Sequence, residues 1–185
     1  MTNSLTIKKT NIKTKTITTA VAIITAIVLP QIFHAVGVIS GLGSLLGETF
    51  LPMQLPILLA GLLAGPVVGI IAGAASPSIS FILSGMPGAA MLPFIMIELA
   101  GYGLTAGLLN KVKIPVFFNL ILAQIAGRTL RIAGILFAVY GMGIQIAHGT
   151  EILNFIAIGL PGILLQLCLI PLLMFRLESV MKFND

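Results

Sequence analysis

Residues 53–83 read MQLPILLAGLLAGPVVGIIAGAASPSISFIL, a run without one charged side chain. Whether it crosses a bilayer once or twice decides the fold. About 20 apolar residues span the hydrocarbon core as a helix. This run is long for one span, and its first part, Met53 to Ala64, is short for a span of its own. Gly65-Pro66 is a tight break within it, since Gly and Pro together punctuate helices.

Charge placement arbitrates, because cytoplasmic loops collect Lys and Arg. With Lys8, Lys9, Lys13 and Lys15 inside, one helix over 53–83 would leave three spans before Lys111 and Lys113 and put those lysines outside. Two helices make four spans and keep them inside. The same count brings Arg176 and Lys182 inside after a sixth span. Eight of the ten Lys and Arg residues then lie in the cytoplasm, four, two and two, and none falls in an external loop. The other two, Arg128 and Arg131, lie within the fifth segment.

Six apolar segments follow: Ile17 to Phe33, Met53 to Ala64, Val67 to Leu83, Ala89 to Leu109, Val116 to Tyr140 and Ile152 to Phe175. The expected fold is an all-α membrane protein, a six-transmembrane-helix bundle with both termini cytoplasmic. A cytoplasmic segment 1–16 precedes the bundle at 17–176, and a tail 177–185 ends the chain. Gly37 to Pro52 reads as a Gly/Ser-containing loop, and Gly141 to Glu151 as a polar one. Glu48, His148 and Glu151 fall in the external loops.

Composition agrees. The chain is 58% hydrophobic and 8% charged, whereas soluble domains carry roughly 25% charged residues. The net charge of +5 sits at segment ends, which argues for topology rather than nucleic acid binding. The basic N-terminus before an apolar stretch resembles a secretory leader, but no small-x-small cleavage site follows, so a retained first helix is expected. Period-two alternation, the mark of a transmembrane barrel, is missing. The lone Cys168 makes no internal disulfide or metal site and reads as a small lipid-facing or packing residue. No Gly-x-x-x-x-Gly-Lys-Ser/Thr loop, zinc spacing or His-Glu-x-x-His occurs, which leaves no positive sign of an enzyme.

Intramembrane charges are costly and mark function by default. Glu98 lies in the fourth segment. Arg128 and Arg131, three residues apart in the fifth, share a helix face, with Gln124 one turn earlier. Two readings stand: a structural Glu98–Arg pair between helices, or a ligand site open to the outside. Gln54 beside Met53, Tyr102 one turn from Glu98, and Gln166 in the sixth segment add polar groups at similar depth. Each alone is more often a helix–helix hydrogen bond. His34 at the end of the first segment reads as a solvated interface residue. Ala22 and Ala26, with Thr18 one turn before, form a small-residue stripe that permits close helix approach.

Several stretches together carry a family resemblance: LPMQLPILLAGLLAGP at 51–66, SGMP at 84–87, ELAGYG at 98–103, Gly127-Arg128, and GLPGILLQ at 159–166. Over most of the chain they resemble the substrate-binding S component of energy-coupling factor vitamin transporters. The resemblance implies a six-helix fold that binds a water-soluble vitamin or precursor near the external face, beneath the loop joining the first two helices. It implies no cofactor, and it implies partners: a membrane coupling subunit and two cytoplasmic ATPase subunits that hydrolyse the ATP. Localisation in a bacterial cell membrane follows. Ala22, Ala26 and Thr18 would inherit the family's docking stripe for the coupling subunit. Gln54, Met53, Glu98, Tyr102, Arg128, Arg131 and Gln166 become the expected ligand site, and Gly37 to Pro52 would close over it. The ligand is expected among pyridoxine or hydroxymethylpyrimidine types, pantothenate or cobalamin. A stand-alone secondary transporter and a structural membrane subunit are the other classes. The first usually shows internal repeats, and none is convincing here.

Overall fold

A computed structural model describes residues 12–112, 114–144 and 157–183. Lys8, Lys9, Lys113, His148, Glu151 and the start of the sixth expected segment lie outside the described residues, as does the Lys182 side chain. Every regular element among the described residues is helical. In chain order they are α1 (Ile12–Ile39), α2 (Leu45–Phe50), α3 (Gln54–Ala64), α4 (Pro66–Ser84), α5 (Leu92–Leu109), α6 (Val116–Leu136) and α7 (Leu160–Phe183). A single π-helical turn, Phe137–Gly141, extends α6.

The run at 53–83 folds as two helices. Gly65 sits between α3 and α4 at φ 94° and ψ 177°, a region essentially reserved for glycine. Pro66 then occupies the first turn of α4, where its missing N–H leaves no bond unmade. The short second segment gains length from an element that the sequence reading placed in a loop. Six residues of the expected Gly37 to Pro52 loop form α2, and α1 itself continues to Ile39. With α2, the stretch Leu45–Ala64 reaches 20 residues. Helix α3 alone is 11 residues, about 16 Å at 1.5 Å per residue, roughly half of a hydrocarbon core. Among the described residues, five helical stretches are long and apolar enough to cross a membrane: Ile12–Ile39, Leu45–Ala64, Pro66–Ser84, Leu92–Leu109 and Val116–Gly141. Leu160–Arg176 is a shorter apolar helix. Helix α7 continues past the expected end at Phe175 to Phe183.

Helix α3 is the centre of the bundle. It is apolar on all sides and buried at Pro56, Ile57, Leu58, Ala60, Gly61, Leu62 and Ala64. One face packs with Leu99, Tyr102, Ala106, Leu120, Ala123, Ile170 and Met174 from α5, α6 and α7. The other meets Ala22, Ala26, Val68 and Ala72 from α1 and α4. Helices α4 and α5 approach closely at Gly69 and Gly103, where a side chain on either would enter the other's backbone. Such small-residue contacts drive helix association where lipid removes the hydrophobic incentive.

The stripe on α1 faces its own bundle. Ala22 is 4% exposed and Ala26 fully buried, both against α3 and α4. Thr18, one turn earlier, is half-buried. Small side chains here bring α1 onto its own bundle. The outward face of α1 carries Ile17, Val21, Ile24, Val28 and Ile32 instead, at the spacing of one helix face.

Candidate functional site

One end of the bundle gathers the late residues of α1, α4 and α6 and the early residues of α3 and α5, with α2 laid across it. A cavity of about 380 Å³ opens there. Its walls are largely apolar, with Pro30, Leu51, Met53, Met86, Met91 and Ile95 among them. Polar and charged side chains, Gln54, Glu98, Arg128 and Arg131 among them, share the lining, a make-up usual in small-molecule pockets.

Five of the seven expected ligand residues line it: Met53, Gln54, Glu98, Arg128 and Arg131. Glu98 is 2% exposed. Its Oε2 accepts from Arg131 Nη1 at 2.8 Å, and its Oε1 accepts from the Tyr102 hydroxyl at 2.5 Å. The structural Glu98–Arg pair is therefore formed, and Arg131 supplies it. Because Glu98 also faces the cavity, the pair and a ligand role coexist. Gly127 makes this geometry reachable. A side chain there would collide with the Tyr102 ring and the Glu98 carbonyl, so glycine lets α6 lie close enough for Arg131 to meet Glu98.

Tyr102 and Gln166 stand behind the wall rather than in it. Tyr102 is fully buried and steadies the Glu98 carboxylate. Gln166, on α7, accepts from the Gln124 amide at 3.1 Å and donates to the Leu51 carbonyl at 3.2 Å. Leu51 has φ 49°, the left-handed region that is costly for a residue with a branched side chain. Its carbonyl is also the acceptor for the Gln54 N–H at 3.1 Å. Gln166 thus pins the corner where α2 turns into α3, and that corner sets Met53 and Gln54 at the cavity.

Two polar atoms in the lining are buried without a partner. They are Gln54 Oε1, on a residue 5% exposed, and Arg128 Nε. Buried polar groups almost always find a hydrogen bond, so an unfilled acceptor and an unfilled donor on two residues that line one cavity point to an occupant.

The sequence reading did not assign Glu48 or Ser80 to a site, and it treated His34 as solvated; all three line the cavity. Glu48 sits on α2 and accepts from Ser44 Oγ at 2.8 Å. Its place in a stretch read as a loop hid it. His34 packs over Gly47 of α2, a contact that only the folding back of α2 creates.

The chain matches no protein-family model, no curated protein and no solved structure.

Proposed function

We propose that this protein is a substrate-capture subunit of an energy-coupling-factor type importer, embedded in a bacterial cell membrane through six spans with both termini cytoplasmic. In this reading α2 and α3 together make the second span, and α7 makes the sixth. The cavity faces outward and takes a small water-soluble vitamin or precursor. The observation that carries the reading is the cavity itself. It lies under α2 at one end of an apolar helical bundle, and among the described residues two of those that line it, Gln54 and Arg128, each carry a buried atom without a partner, one an acceptor and one a donor.

The lack of a phosphate loop in the sequence supports a division of labour in which ATP hydrolysis belongs to two cytoplasmic ATPase partners, joined through a membrane coupling subunit. The chain itself then performs no chemistry on its substrate. Partner contacts fall on the exposed flanks of the bundle, since Ala22 and Ala26 are buried in it.

Mechanistically, the solute enters between α2 and the turn before α5, where Met86, Pro87 and Gly88 form part of the wall. Glu98 and Gln54 offer acceptors and Arg128 a donor. The Glu98–Arg131–Tyr102 set keeps α5 and α6 in register around the solute.

The test is pull-down of the tagged protein from its native membrane, followed by uptake in reconstituted vesicles. A coupling subunit and two ATPases should co-purify, and uptake should require ATP. Uptake by the isolated protein driven by a proton gradient would replace this reading with a stand-alone carrier. A preparation with no bound small molecule, no uptake and no ATPase partners would indicate a structural subunit.

A further inference from the structure

The cavity's charges are not equivalent. Glu98 is satisfied by Arg131 and Tyr102, and Glu48 accepts from Ser44. Arg128 makes no hydrogen bond or ion pair among the described residues, and its Nε is buried. A guanidinium held this way lacks an anionic or strongly accepting oxygen, which it binds best as a planar carboxylate. Gln54 lacks a donor for Oε1. The same cavity is also lined by the apolar residues Met53, Met91, Ile95 and Leu99.

We infer that the occupant is a small organic monoanion: a carboxylate-type group on Arg128, an N–H or O–H donor on Gln54, and an apolar body against the methionines. The inference rests on the capture-site reading and narrows it. Arg128 is the ligand-facing cation, and Arg131 is the positioning one. The volume of about 380 Å³ lies at the low end of small-molecule pockets, about 300–1,000 Å³, which suits a compact solute.

The experiment measures thermal stabilisation of the detergent-purified protein by a panel of small carboxylates that carry an amide or hydroxyl donor. Each is paired with its own neutral amide; N-butanoyl-β-alanine and N-butanoyl-β-alaninamide are one such pair. At millimolar concentration a carboxylate should stabilise and its amide should not. Arg128→Gln should weaken binding of that carboxylate roughly 10- to 100-fold, the loss expected for one charge-assisted hydrogen bond. Arg128→Lys, which keeps the charge and loses the fork, should weaken it less, and Gln54→Leu should weaken it about tenfold.

Equal stabilisation by the neutral amides overturns the inference. So does undiminished affinity in a folded Arg128→Gln protein, or a panel in which no carboxylate stabilises. A second arm compares nanodiscs of phosphatidylglycerol with nanodiscs of phosphatidylcholine. Arg128-dependent stabilisation by phosphatidylglycerol, competing with the carboxylate, would make the anion a lipid headgroup and also overturn it. Carboxylate binding without ATP-dependent uptake would sink the importer reading and leave the ligand class standing. ATP-dependent uptake of a neutral solute would do the reverse.

Discussion

Removing Arg131 should be the most damaging single change at the site, and its cost should be largely recovered by removing Glu98 as well. Glu98 is 2% exposed and Arg131 17%. Arg131→Met would leave a buried carboxylate with the Tyr102 hydroxyl as its remaining donor among the hydrogen bonds described here. Breaking a buried pair by deleting one partner typically costs about 3–5 kcal/mol, because the survivor's desolvation goes uncompensated. Glu98→Gln is milder. The amide oxygen still accepts from Tyr102, and Arg131 is the more exposed member, so the expected cost is about 1–3 kcal/mol. The double variant carries no orphaned charge. Its cost should fall below the sum of the two singles by at least about 1 kcal/mol, the scale of coupling between contacting residues. The assay is reversible denaturant unfolding in mixed micelles of all four proteins, so that the cycle closes. Additive costs, within about 0.5 kcal/mol, would refute the reasoning. They would mean that the bridge contributes nothing and that α6 is held against α5 by packing at Gly127 alone.

Gln166→Leu should destabilise by about 1–3 kcal/mol, since it strands the Gln124 amide and frees the Leu51 carbonyl; adding Gln124→Leu should return part of that loss in the same unfolding assay. Gly65→Ala should cost about 1–3 kcal/mol, because φ 94° with ψ 177° admits glycine alone, and an unchanged unfolding midpoint would contradict the geometry assigned to the α3–α4 break. Topology is checked in a Cys168→Ser background with Ser44→Cys and Lys111→Cys, both exposed positions. A membrane-impermeant maleimide should label the first in intact cells and the second only after permeabilisation; the reverse pattern would invert the orientation.

Much of this protein could be read from the chain alone. Composition pointed to helices apolar enough to cross a membrane, because only 8% of the sequence is charged, and the fold holds such helices. The Gly65-Pro66 break was legible for a local reason: a left-handed glycine and an N-terminal proline need no tertiary partner to end one helix and start another. The helical run from Val116 was legible too, and Glu98, Arg128 and Arg131 stood out as charges among apolar neighbours. What the chain could not disclose depends on distance in space. Helix α2 is six residues, too short to register as periodicity, and it forms because its far side packs on α1 and α7. The stripe at Ala22 and Ala26 reads the same whether it faces its own bundle or another protein, and only the packing of α3 and α4 turned it inward. Arg128 and Arg131 share a helix face in sequence. Close approach of α6 at Gly127 gave one of them to Glu98 and left the other, in the cavity wall, with a buried Nε that has no partner, a difference that only the fold could decide.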